Sequence, residues 1–120
     1  MSDYRFHSPN AIERAFLRIV TSGYPQLAEQ IETCEVDDFD TDGYCDVRVN
    51  PRPPLATSTE VRDGPSLADG PNGLIETLLW IKGGYLASIE VIPSFGGQPP
   101  LRDIYERFIE AASHGQLLYK

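Results

Sequence analysis

Four aspartates carry the most specific chemical pattern in the chain. Asp38, Asp40, Asp42 and Asp46, with Gly43 among them, place carboxylates at positions 1, 3, 5 and 9 of a calcium-loop pattern and glycine at position 6, where the loop must turn sharply. A hard cation collects about six to eight oxygen ligands, so this spacing predicts a half-loop able to hold Ca2+. Position 12 is Val49 instead of the bidentate glutamate, and the residues after Asp46 alternate like a strand, so the exiting helix of a complete site is not expected. The same residues also make an ordinary acidic turn between a helix and a strand.

The aspartates belong to a wider asymmetry of charge. Glu29, Glu32, Glu35, Asp37, Asp38, Asp40, Asp42 and Asp46 lie within 18 residues that contain no base, and the remaining ten acids are balanced by ten bases, so this stretch holds the whole net charge of −8. Such a ridge repels phosphate backbones, which disfavours direct nucleic-acid binding, and it attracts a basic protein surface or a cation. The leading expectation is an interaction protein that binds a basic protein partner through these eight acids. The alternative is a small-ligand or divalent-cation domain that uses the DFDTDG loop or the sheet face around Glu90.

Signals for catalysis are weaker, and no catalytic residue is assigned. The two histidines, His7 and His114, lie near opposite ends, and no serine sits in a Gly-x-Ser-x-Gly elbow. Cys34 and Cys45 read as buried small apolar residues, and a zinc site combining them with both histidines lacks the close cysteine spacing of structural sites. Gly83-Gly84 joins two strands and does not lead into a helix, so it is no phosphate cradle. Glu76 and Glu90 stand in the two most apolar strands and are expected on opposite faces, which argues against a cooperating acid and base. Glu90, Trp80 and Tyr85 form the candidate ligand surface of the sheet.

The elements that position these residues follow from periodicity. Leu74 to Ile92 reads as a hairpin whose Gly83-Gly84 loop supplies the positive φ angles of a type I′ turn. With Lys82 opposite Tyr85 and no irregularity, Leu74, Glu76, Leu78 and Trp80 share a face with Ala87, Ile89 and Val91, and that face is expected to meet the helices. A helix is predicted from the capping signal Ser8-Pro9-Asn10…Glu13, with Ser8 or Asn10 as cap, and its apolar stripe is Ile12, Ala15, Phe16, Ile19 and Val20. A second short helix begins at Tyr24-Pro25, and the two are expected to pack as an antiparallel pair. Tyr44 to Asn50 alternates as a half-buried strand, Ala56 to Asp63 suits a sheet edge that could also pair a homodimer, and Gly64 to Gly73 reads as a loop. Leu101 to Ser113 is helical, ended by Gly115. The expected fold is α+β: an N-terminal helical pair, an antiparallel sheet of about four strands and a C-terminal helix, with the helices on one face.

At 120 residues the chain is expected to be one domain, 1–120, and cytoplasmic, since no long apolar run and no leader pattern is present. The hairpin LLWIKGGYLASIEVI with its exit PSFGGQPP, and the segment PQLAEQIETCEVDDFDTDGYCDVRV, resemble small uncharacterised bacterial α+β proteins, over roughly half the chain. Some acidic bacterial proteins of this size are similar to immunity proteins, so the resemblance implies this fold and a toxin-neutralising role, and it transfers no catalytic residue.

Overall fold

The computed structural model describes residues 6–38, 43–49, 60–70, 73–94 and 99–119. Its elements, in chain order, are α1 (Ala11–Val20), α2 (Pro25–Gln30) with a 3-10 turn (Ile31–Thr33), β1 (Glu35–Asp37), β2 (Tyr44–Arg48), β3 (Glu60–Asp63), β4 (Leu67–Asp69), β5 (Gly73–Lys82), β6 (Tyr85–Pro93) and α3 (Leu101–Ser113). The fold is α+β, as expected, but among the described residues the antiparallel sheet has six strands, ordered β1-β2-β6-β5-β3, with β4 also paired to β5. The two strands beyond the expected four are β1, between the expected second helix and the acidic loop, and β4, inside the expected Gly64 to Gly73 loop. Both are three residues long, too short for alternation to register.

Gly83 and Gly84 have φ of 59° and 86°, so the turn is built on the two positive φ angles that the Gly-Gly pair predicts. Lys82 pairs with Tyr85 and Ile81 with Leu86, and then the register slips by one, so that Trp80 faces Ser88 and Leu79 faces Ile89. Ala87 is the extra residue of a β-bulge. The slip corrects the expected faces: Ile89 and Val91 join Ile75, Thr77, Leu79 and Ile81 in the core, and Leu74, Glu76, Leu78 and Trp80 lie on the opposite, half-buried face. Because side chains alternate with period two, one inserted residue moves everything beyond it to the other face. Glu76 and Glu90 therefore share a face, opposite Ile92 and Leu78 respectively, instead of lying on opposite ones.

The capping choice falls on Asn10. Its Oδ1 accepts from the Glu13 N–H and the Glu13 carboxylate accepts from the Asn10 N–H, both at 2.8 Å, which closes a capping box. The packing partner of α1 is α3, not α2: the Phe16 ring stacks on Tyr105 with centroids 4.3 Å apart and meets Phe108 edge-on at 5.6 Å. The six-residue α2 instead lies against β6, where Gln30 is 4% exposed. Its amide donates to the Gly84 carbonyl and accepts from the Leu86 N–H, both at 2.8 Å, so one side chain satisfies two backbone groups at the turn. Buried residues of all three helices and the inner sheet face form one cluster, which includes Cys34 and Cys45 as expected. Two single-residue bridges extend the sheet, His7 with Val36 and Ser66 with Leu118. Among the described residues no helix is long and apolar enough to cross a membrane.

Candidate functional site

Two groups of polar side chains stand out, one on each side of the sheet. On the face turned away from the helices, Trp80 projects from β5 and its indole N–H donates to Glu90 Oε1 at 3.1 Å. The bulge sets this geometry, because it brings Trp80 opposite Ser88 and so leaves Glu90 two residues further along β6 on the same side. Tyr44, opposite Glu90 on β2, is 36% exposed, and Asp46, opposite Ser88, is exposed. Tyr44, Asp46, Trp80, Lys82, Ala87 and Ser88 line a shallow depression of about 370 Å3. Tyr85, opposite Lys82, stands on the same side at the turn, so Trp80, Tyr85 and Glu90 of the expected ligand surface do share one face. On the neighbouring β3, Val61 lies opposite Trp80 and is 42% exposed.

The second group lies on the helix side, where four segments meet. His7 is carried there by its backbone bridge to Val36, Glu13 by the capping box of α1, Asp38 by the end of β1 and Tyr105 by α3. His7 Nε2 is 3.0 Å from both carboxylate oxygens of Glu13 and 3.8 Å from Asp38 Oδ1. The Tyr105 hydroxyl donates to Asp38 Oδ2 at 3.0 Å. Burial, and then the adjoining Glu13 carboxylate, push the Asp38 carboxyl up to about 6. Burial also works against the charge on Glu13, but hydrogen bonds from Asp38, from the Asn10 N–H and from His7 outweigh it and hold the group below its usual range. Asp38 is thus the member that keeps a proton longer. Cys45, 1% exposed, lies beside the Tyr105 hydroxyl, and burial pushes both groups up. Burial likewise raises the Cys34 thiol to about 11, so neither cysteine is an activated thiolate.

Of the eight acids expected to form one ridge, the six described stand in different surroundings, although Asp37 pairs across the strands with Asp46. Glu29 is exposed on α2, Glu32 sits 3.5 Å from Arg18, and Glu35 accepts from Arg48 at 2.6 Å, where the guanidinium also lies 4.5 Å above the Phe6 ring. Asp37 is only 9% exposed, Asp38 turns inward to Tyr105, and Asp46 belongs to the open face. Asp40 and Asp42, with the rest of the expected calcium loop between Asp38 and Gly43, lie outside the described residues. The two described ends of that loop, Asp38 and Asp46, stand on opposite sides of the sheet.

No family model, curated protein or solved structure matches the chain. The residues that sequence reasoning missed are His7 and Tyr105. In the sequence His7 stands far from the other histidine, and Tyr105 falls inside the helix expected over Leu101 to Ser113. Glu13 was noted only as a helix cap. The one local hint was a histidine six residues before a capping glutamate, and it carries no information about Asp38 or Tyr105.

Proposed function

We propose that the protein is an interaction protein of the toxin-neutralising kind, and that it captures a basic protein partner on the open face of its sheet. One arrangement carries the reading: Trp80, fixed by its hydrogen bond to Glu90, beside the exposed Tyr44 and Asp46. Aromatic rings and carboxylates side by side suit Arg and Lys, because the ring face attracts the cation and the carboxylate accepts its N–H groups. A chain of net charge −8 also steers such a partner during approach. The docking surface then moves from the Glu29 to Asp46 stretch onto the sheet, and of that stretch it keeps Asp46.

The test compares tagged wild type with a Trp80→Ala, Glu90→Gln double variant as bait in a lysate of the source cell, at low and at moderate salt. The expected result is a basic protein that wild type retains at low salt, that salt weakens, and that the variant does not hold. Identical captured sets, from two baits that melt at the same temperature, would rule the open face out.

A further inference from the structure

We propose that His7, Glu13 and Asp38 form a binding site for one divalent transition-metal ion of the zinc type. One ligand atom from each residue can be chosen so that all three lie within 4.8 Å of one another. Around a zinc ion, ligand atoms at about 2.0–2.2 Å in tetrahedral directions stand about 3.3–3.5 Å apart. The 3.0 Å and 3.8 Å separations from His7 Nε2 to the two carboxylates bracket that spacing. Only small side-chain adjustments are needed to close three ligands on an ion.

A second feature, independent of the spacing, points the same way: each carboxylate already has one oxygen held by an outer donor. The Asn10 N–H holds Glu13 Oε1 at 2.8 Å, and the Tyr105 hydroxyl holds Asp38 Oδ2 at 3.0 Å. This leaves Glu13 Oε2, 3.0 Å from His7 Nε2, and Asp38 Oδ1, 3.8 Å from it, as the oxygens without that outer donor. Metal-binding carboxylates are oriented by such outer hydrogen bonds. Burial is graded in the same sense, with side-chain exposures of 11% for Glu13 and 8% for Asp38 but 31% for His7. The carboxylates lie deeper than the imidazole, and a water would complete the coordination as in zinc sites with three protein ligands. One imidazole with two carboxylates suits zinc and its neighbours better than calcium, which takes oxygen ligands alone. On binding, the Nε2 proton of the His7 imidazolium and the proton in the hydrogen bond between Asp38 and Glu13 both leave to solvent, the Nε2 lone pair goes to the metal and Nδ1 keeps its hydrogen.

The test titrates metal-stripped full-length protein with zinc chloride by calorimetry, and with cobalt chloride by visible absorption. Expected are a one-to-one stoichiometry, a melting temperature that rises with zinc concentration by mass action, and the visible bands of four-coordinate cobalt. His7→Ala, whose apo melting curve checks its fold, should weaken zinc by at least about 100-fold, and Tyr105→Phe, which removes only an outer donor, by about 10-fold. Zinc binding of equal strength in wild type and in both His7→Ala and Asp38→Asn overturns the site, as does the absence of one-to-one binding by wild type.

Discussion

On the open face, Trp80 and Glu90 come from adjacent strands of one hairpin, ten residues apart, whereas beneath α3 the hydrogen bond from Tyr105 to Asp38 spans 67 residues and its neighbours His7 and Glu13 come from two further segments. The first pair is a product of local register, in reach as soon as the hairpin forms. The second group requires the N-terminal segment, α1, β1 and α3 to be in place together. Side chains on the open face can therefore change with little effect on the fold and are available for recognition. Those beneath α3 join separate parts of the molecule, and removing one leaves buried partners without a counterpart. A polar network of that kind is either a structural tie or a site that the tie has pre-organised.

The sharpest contrast is expected from truncating an aromatic on each side. Tyr105→Ala removes a side chain that is 2% exposed and stacks on Phe16, and should cost about 3–5 kcal/mol in urea unfolding. Trp80→Ala, on the half-buried face, should cost no more than about half as much, because the ring is only partly buried and lies outside the core cluster. Equal losses would mean that the open face is covered and structural, and the comparison would collapse. Next in size is Gln30→Ala, which strands the Gly84 carbonyl and the Leu86 N–H beneath the turn and should cost about 2–4 kcal/mol. Its amide proton exchange should accelerate most at the turn and the bulge, and exchange that rises uniformly over the molecule would contradict a local role for the clamp.

The smallest effect is a pH dependence of the region beneath α3. The Asp38 carboxyl is raised from 3.8 to about 6, so the folded state holds its proton where the unfolded chain has lost it. That contribution is complete below about pH 4 and is lost as pH rises through about 6. Glu13, held low, acts in the opposite sense by losing stability as pH falls through its folded value, and His7, Tyr105 and Cys45 are the other titratable groups at this point. Relative to wild type, Asp38→Asn should become more stable as pH rises from 4 through 6 and then level off, read as the difference between the two melting temperatures. A flat difference for Asp38→Asn over this range would remove Asp38 as holder of the proton.

Local signals carried most of the fold. The Gly83-Gly84 turn, the Asn10 to Glu13 capping box, the alternation of β2 and the stripe of α3 each declare themselves within a dozen residues, and each lies where it was read. The misread face of β5 traces to one residue, Ala87. Nothing in the sequence around it marks a bulge, since glycine is the usual signal and is absent there. The strand β1 was hidden because Val36 is its only apolar residue and acids flank it. The matching of Glu32 and Glu35 by bases is equally hidden, since Arg18 and Arg48, which face them, lie 14 and 13 positions away in sequence. The His7, Glu13, Asp38 and Tyr105 group has no linear signature, because spacing in sequence bears no relation to distance when four elements converge. Of the ligand surface, the sequence supplied the residues Trp80, Tyr85 and Glu90, and only the bulged register supplied their common side.

The bond between Trp80 and Glu90 also makes the molecule optically lopsided. The chain contains a single tryptophan, and its indole stands on the open face, away from the main core. Its emission therefore reports that face and is nearly silent about the interior, where Phe16, Tyr105 and Phe108 pack. An unfolding curve followed by tryptophan fluorescence watches the open face, and one followed by far-ultraviolet dichroism watches the backbone of the whole molecule. Where they coincide, the sheet and its helices melt as one, and where the fluorescence moves alone, something has arrived at or left the open face.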